Sequence, residues 1–186
     1  CQACVMEVSS HALDQRRADG LAFDAAVFTN LSGDHADYHP TPGHYLAAKR
    51  RLLGMVPEGG PVVLNADEPD VAQSDPGGRR RVMCALAGAE SADADWVVRR
   101  GRVSIEGETI TIEHARRSLG ATIPLIGPFN AMNAAQAVAV AWELPGQAGV
   151  DDQDRWARIG RALSLATAPR GRREPVHGPG DAVSVV

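Results

Sequence analysis

Strand-like and helical runs alternate through the first half of this chain. Residues 4–8 (Cys4-Val-Met-Glu-Val8), 23–29 and 61–65 (Pro61-Val-Val-Leu-Asn65) read as strands, and 10–17 and 41–54 read as helices. That alternation predicts an α/β fold with a largely parallel sheet flanked by helices. A further helix is expected over 67–75 and a further strand over 82–87. From Trp96 to Ile126 the pattern changes to β-branched clusters separated by Gly101, Gly107 and Gly120. This predicts a small antiparallel meander, about 94–126, forming a second sheet beside the first. Helices return over 128–144, with Pro128 well placed at the first helical position, and over 151–165. Residues 168–175 read as a Pro/Gly/Arg loop.

At 186 residues the chain can bury one good core. Its net charge of −4, with no block of five like charges, argues against nucleic acid as a partner. No apolar stretch reaches the ~18 residues of a membrane span. The cysteines Cys1, Cys4 and Cys84 are odd in number, and Cys1-x-x-Cys4 lacks the second ligand pair of a zinc site, which points to free thiols in a reducing cytoplasm. The chain opens without methionine or signal peptide and closes on a strand-like run, so it is expected to be a piece of a longer enzyme.

Several residues stand out chemically. On a helix, Lys49 shares a face with Tyr45, Leu46, Leu52 and Leu53, where an amine is costly unless deprotonated, paired or modified. Snorkelling of the side chain to water is the alternative. Glu7 lies inside an apolar run, and a carboxylate there calls for a cation. Ser9 or Ser10 reads as a helix cap. Asp34, His35, Asp37 and His39 offer oxygen and imidazole donors for a divalent metal, although Asp37 and His39 serve equally as caps or solvated groups. Asn130 and Asn133 lie three apart in the first turn of a helix, suited either to capping or to reading a base edge.

Taken in order, Met6-Glu-Val-Ser-Ser-His-Ala-Leu-Asp-Gln-Arg-Arg17, Val27-Phe-Thr-Asn-Leu-Ser-Gly-Asp-His-Ala-Asp-Tyr-His39, Tyr45-Leu-Ala-Ala-Lys49, Asn65-Ala-Asp-Glu68, Gly127-Pro-Phe-Asn-Ala-Met-Asn133 and Gly171-Arg-Arg-Glu174 resemble the Mur ligases. The likeness is greatest to the branch that adds the third residue to UDP-N-acetylmuramoyl-L-alanyl-D-glutamate. It implies that residues 1–170 form most of a central ATP-binding domain and that 171–186 begin a linker to a C-terminal domain. It further implies ATP and Mg2+ as cofactors, with the UDP-muramoyl dipeptide and an amino acid as substrates. By the same resemblance Glu7 and His35 hold magnesium, and Lys49 is carbamylated to give a third, anionic ligand. Ser9, Gln15 and Arg17 match dipeptide contacts. Asn133 matches an adenine-contacting amide, with Asn130 beside it in the ATP site, and Arg172 matches an arginine near the ATP phosphates.

The chain departs from the family pattern at Ala12, Gly33 and Ala36, local changes that leave the ligand positions intact. No Gly-x-x-Gly-Lys-[Ser/Thr] phosphate loop occurs in the sequence. The chain by itself is therefore expected not to catalyse ligation. A folylpolyglutamate- or cyanophycin-type ligase, or a non-catalytic binding module on the same scaffold, are the alternatives. A metal-dependent hydrolase built on His35, Asp37 and His39 ranks last.

Overall fold

Residues 61–65 are apolar at almost every position, and in the computed structural model they form a central strand buried at every residue. The structure describes residues 3–30, 38–88, 93–146 and 149–167. The strands are β1 (Ala26–Phe28), β2 (Pro61–Asn65), β3 (Arg80–Leu86), β4 (Trp96–Ser104), β5 (Gly107–His114) and β6 (Arg117–Ile123). They make one six-stranded sheet in chain order. The first three pairings are parallel and the last two antiparallel.

Period-two alternation on β2 divides the core. Val62 and Leu64 join Ala26, Phe28, Leu53, Val56 and Val71 on one face. Val63 turns to the other face, with Val82, Cys84, Trp96, Ile110 and Ile112. The first face is covered by the 3-10 turn Arg51–Met55 and α3 (Pro69–Ala72), and α2 (Pro42–Arg50) runs directly into that turn. The second is covered by α4 (Pro128–Glu143), whose Ala131, Ala135 and Ala139 are wholly buried and let the helix approach the sheet closely. The last helix, α5 (Asp152–Ser164), is started by the Asp151 side chain accepting from the Asp154 amide. It adds Trp156, Ile159 and Leu163, spaced three and four apart, to the same core.

Three expectations need correcting. Residues 4–8 form no strand: Val5 is 100% exposed and Met6 51% exposed. An extended run becomes a strand only when another supplies its hydrogen bonds, and no described strand lies against this one. The meander is not a second sheet, because β4 pairs with β3 through Cys84↔Trp96 and Leu86↔Val98 before turning antiparallel to β5. The expected break at Gly101 is a register shift within β4, between Arg100 and Val103. The helix expected over 67–75 shrinks to the single turn Pro69–Ala72.

No helix among the described residues is long and apolar enough to cross a membrane. Cys4 is exposed, whereas Cys84 is buried and burial pushes its thiol pKa far up. Alkylation of the native protein is accordingly expected to label Cys4 within minutes and Cys84 only after denaturation. Native labelling of Cys84, read by peptide mass mapping, would show that the core opens there.

Candidate functional site

The carboxyl end of β1 is gripped by side chains from three elements. Gln136 of α4 donates from Nε2 to the Phe28 carbonyl at 2.9 Å. Asn65, the last residue of β2, donates from Nδ2 to the Thr29 carbonyl at 2.8 Å. Lys49 of α2 donates from Nζ to the Asn30 carbonyl at 2.7 Å. Three consecutive carbonyls at the end of β1 are thus held by three separate elements. Asn65 is itself oriented by the Asp67 amide, which donates to its Oδ1 at 3.0 Å.

Lys49 lies on a helix, as expected, with its ammonium 4.8 Å from the centre of the Tyr45 ring. It is half-buried rather than sealed in apolar surroundings. Its Nζ meets a carbonyl and an aromatic face instead of an apolar wall. Glu7 is exposed on its unpaired segment, so burial does not force a cation on it.

Helix α1 (Ser10–Asp14) carries the next group. Ser9 is its cap, Oγ accepting from the Ala12 amide at 3.1 Å. Just past the helix, the Gln15 amide lies 2.7 Å from His11 Nε2 and accepts from Arg17 Nε at 3.0 Å. Gln15 and Arg17 are both exposed, so an amide and a guanidinium face solvent side by side, suited to a substrate carboxylate or phosphate.

Helix α1 is tied to α2 by groups that the sequence had suggested for other tasks. His39 is 5% exposed, with Nε2 2.9 Å from Ser10 Oγ and Nδ1 2.9 Å from His44 Nδ1. Both ring nitrogens are engaged, which removes His39 from the candidate metal ligands and with it a support of the hydrolase reading. Tyr38 donates to Asp14 Oδ2 at 2.8 Å. That hydrogen bond holds the Asp14 carboxyl below its usual range and pushes the Tyr38 hydroxyl up.

At the start of α4, Asn130 turns its amide back to the Ile126 carbonyl at 2.9 Å and so holds the turn that enters the helix, while Asn133 is exposed and available to a ligand. The turn into the helix is set by Glu108. This carboxylate has no exposed surface, pairs with Arg100 at 2.5 Å, and accepts from the Gly127 amide at 2.7 Å. Nothing in the sequence marks Glu108 or Asn65 for these supporting contacts, whereas a lone glutamine in the apolar run of α4 is a visible signal.

His35, Asp34, Asp37, Arg172 and the 168–175 loop lie outside the described residues. Among those described, no three His, Cys, Asp or Glu side chains come together as a metal site. The geometry brings together Lys49 with the end of β1, and Gln15 with Arg17, while Ser9 stands at the opposite end of α1.

A family model described as the Mur ligase middle domain matches residues 1–141. The UDP-N-acetylmuramoyl-L-alanyl-D-glutamate--2,6-diaminopimelate ligase of Bradyrhizobium diazoefficiens is 40% identical over 139 residues, covering 73% of this chain and 29% of that one. The protein of the same name from Chlorobaculum tepidum is 36% identical over 184 residues, covering 95% of this chain and 34% of that one. The chain thus spans about a third of the length of these curated relatives. A solved structure carrying the same ligase name matches with TM-score 0.66 at 29% identity, over 92% of this chain and 34% of that chain. The MurF ligase of Thermotoga maritima in complex with ADP matches with TM-score 0.67 at 16% identity, over 93% of this chain and 37% of that one, a likeness of fold.

Proposed function

The chain belongs to the Mur ligase family through its middle domain, and from that premise we propose that it is the ATP-binding part of a cytoplasmic peptidoglycan-precursor ligase. The whole protein would join 2,6-diaminopimelate to UDP-N-acetylmuramoyl-L-alanyl-D-glutamate. One observation carries this reading: 36% identity across 95% of the chain to a relative bearing that name. Residues 1–170 would form the central domain, and 171–186 would lead to the domain that receives the amino acid.

In this reading the substrate carboxylate attacks the γ-phosphorus of ATP, ADP leaves, and the amine of the amino acid displaces phosphate from the acyl phosphate. Ser9, Gln15 and Arg17 bind the dipeptide. Asn133 reads the adenine, with Asn130 setting the turn beside it, and Arg172 meets the phosphates. Lys49 reacts as the free amine with carbon dioxide, giving a carbamate and releasing a proton. The carbamate nitrogen keeps one hydrogen, which can stay bonded to the Asn30 carbonyl while the new carboxylate points away from it. A magnesium ion would rest on Glu7, His35 and that carbamate, and would supply charge stabilisation to the phosphoryl group. The described residues do not assemble such a site by themselves, so the steps given to the chain are binding and orientation.

Phosphate release tests the reading. The full-length gene product, given ATP, magnesium, the UDP-muramoyl dipeptide and diaminopimelate, is expected to release phosphate and form the tripeptide. Replacing diaminopimelate by lysine is expected to lower the rate at least tenfold. The 186-residue chain, which has no phosphate-loop sequence, is expected to release none above background in the same assay. No tripeptide from the full-length protein would sink the proposal, and phosphate release by the short chain would sink the claim about the loop.

A further inference from the structure

Gln136 is out of place by composition. It is 1% exposed on a helix whose other buried residues are Ala131, Met132, Ala135, Val138 and Ala139. Its Nε2 reaches the Phe28 carbonyl, but its Oε1 is buried with no hydrogen-bond partner among the described residues. An amide oxygen stranded in this way is costly, whereas the Nε2 of the same side chain satisfies the Phe28 carbonyl. The glutamine is thus only half satisfied. Its one bond, however, joins two parts of the candidate site. Asn133 stands three residues before it on the same helix, about 4.5 Å along the axis. Phe28 stands two residues before Asn30, whose carbonyl holds Lys49. Helix α4 packs mainly against β2, β3 and β4, so the Gln136 amide is its reach across to β1.

We propose that Gln136 is a positioning residue that couples the N-terminal half of α4 to the end of β1, so that nucleotide binding at Asn133 and the setting of Lys49 depend on each other. The inference rests on the proposed ligase function. A nucleotide that fixes α4 at Asn133 fixes Gln136 one turn further on, and through it Phe28 and the strand end that carries Asn30. Asn65 holds the intervening Thr29 carbonyl, so the strand end moves as a unit. Coupling of this kind commonly amounts to a 5-fold change in affinity or more.

The test uses the full-length gene product. Its affinity for ADP is measured by calorimetry with and without saturating UDP-muramoyl dipeptide, in wild type, Gln136→Leu and Gln136→Met. Wild type is expected to bind ADP at least about fivefold more tightly when the dipeptide is present. Both variants should keep each separate affinity within about threefold and lose the enhancement. A merely structural glutamine would lower the melting temperature and leave the enhancement intact, which would overturn the proposal, as would a wild type with no enhancement. If neither variant folds, amide exchange in wild type decides the matter: ADP should slow exchange at Val27 to Asn30, and unchanged exchange there overturns the coupling. A wild type that binds neither ligand instead overturns the ligase reading, which keeps the two failures apart.

Discussion

Lys49→Ala in the full-length gene product is expected to lower kcat by about 10²–10³-fold, the usual consequence of deleting one placed group that stabilises charge in the transition state. Its effect on stability should be small by comparison. The side chain is half-buried and makes one hydrogen bond, to Asn30, whose loss costs about 1 kcal/mol, or a few degrees of melting temperature in a chain of this size. Lys49→Arg separates the chemical possibilities. Arginine keeps a cation that can donate to the Asn30 carbonyl, but its guanidinium does not lose a proton near neutral pH and cannot take up carbon dioxide. If Lys49 works as a carbamate, the arginine variant is as inactive as the alanine variant. If it works as a cation, arginine recovers at least about tenfold of the lost rate, and the carbamate assignment is wrong. Carbon-13 NMR in labelled bicarbonate gives an independent reading. A carbamate signal is expected in wild type, and one no larger than that of Lys49→Ala would count against it.

The helix under Lys49 was legible because apolar residues recur at three and four, and because Thr41 and Pro42 mark its start. How buried the amine would be was not legible. That depends on the Asn30 carbonyl, which belongs to another element and carries no sequence signal. The same limit explains residues 4–8, whose composition suits a strand but whose pairing is a property of whatever lies beside it. It also explains the meander. Alternation revealed its strands, yet only the pairing of Cys84 with Trp96 shows that they continue the parallel sheet. His39 stays open in the sequence for a related reason: a run rich in His and Asp suggests ligands, while the partners that engage this imidazole, Ser10 and His44, lie on α1 and α2. In contrast, β2 and α4 were recovered almost to the residue, since a fully apolar strand and a proline-started, alanine-rich helix state their structure locally.

Gly107→Ala is expected to destabilise the protein by about 4 kcal/mol or more, lowering the melting temperature on the order of 10 °C. Gly107 has φ +130°, where side chains are strained whatever the space around them. A Cβ there would overlap the Ile123 carbonyl, standing 2.8 Å from its carbon and 2.9 Å from the Pro124 Cα. These are backbone atoms of the neighbouring strand and its exit, so no rotamer change relieves the overlap. Gly120→Ala is the matched control. It lies exposed on β6 with nothing within 4 Å of the added carbon, and should change stability by less than about 1 kcal/mol. The damage at Gly107 should also reach the candidate nucleotide site. The next residue, Glu108, is wholly buried between Arg100 and the Gly127 amide, and Gly127 sets the turn from which Asn130 and Asn133 project. Displacing β5 against β6 therefore shifts the start of α4, and folded Gly107→Ala should bind ADP at least about tenfold more weakly, while Gly120→Ala binds normally. A Gly107→Ala protein that melts within about 2 °C of the Gly120→Ala control would show that the β5–β6 contact yields more readily than backbone packing allows, and would break the chain of contacts from the meander to the site.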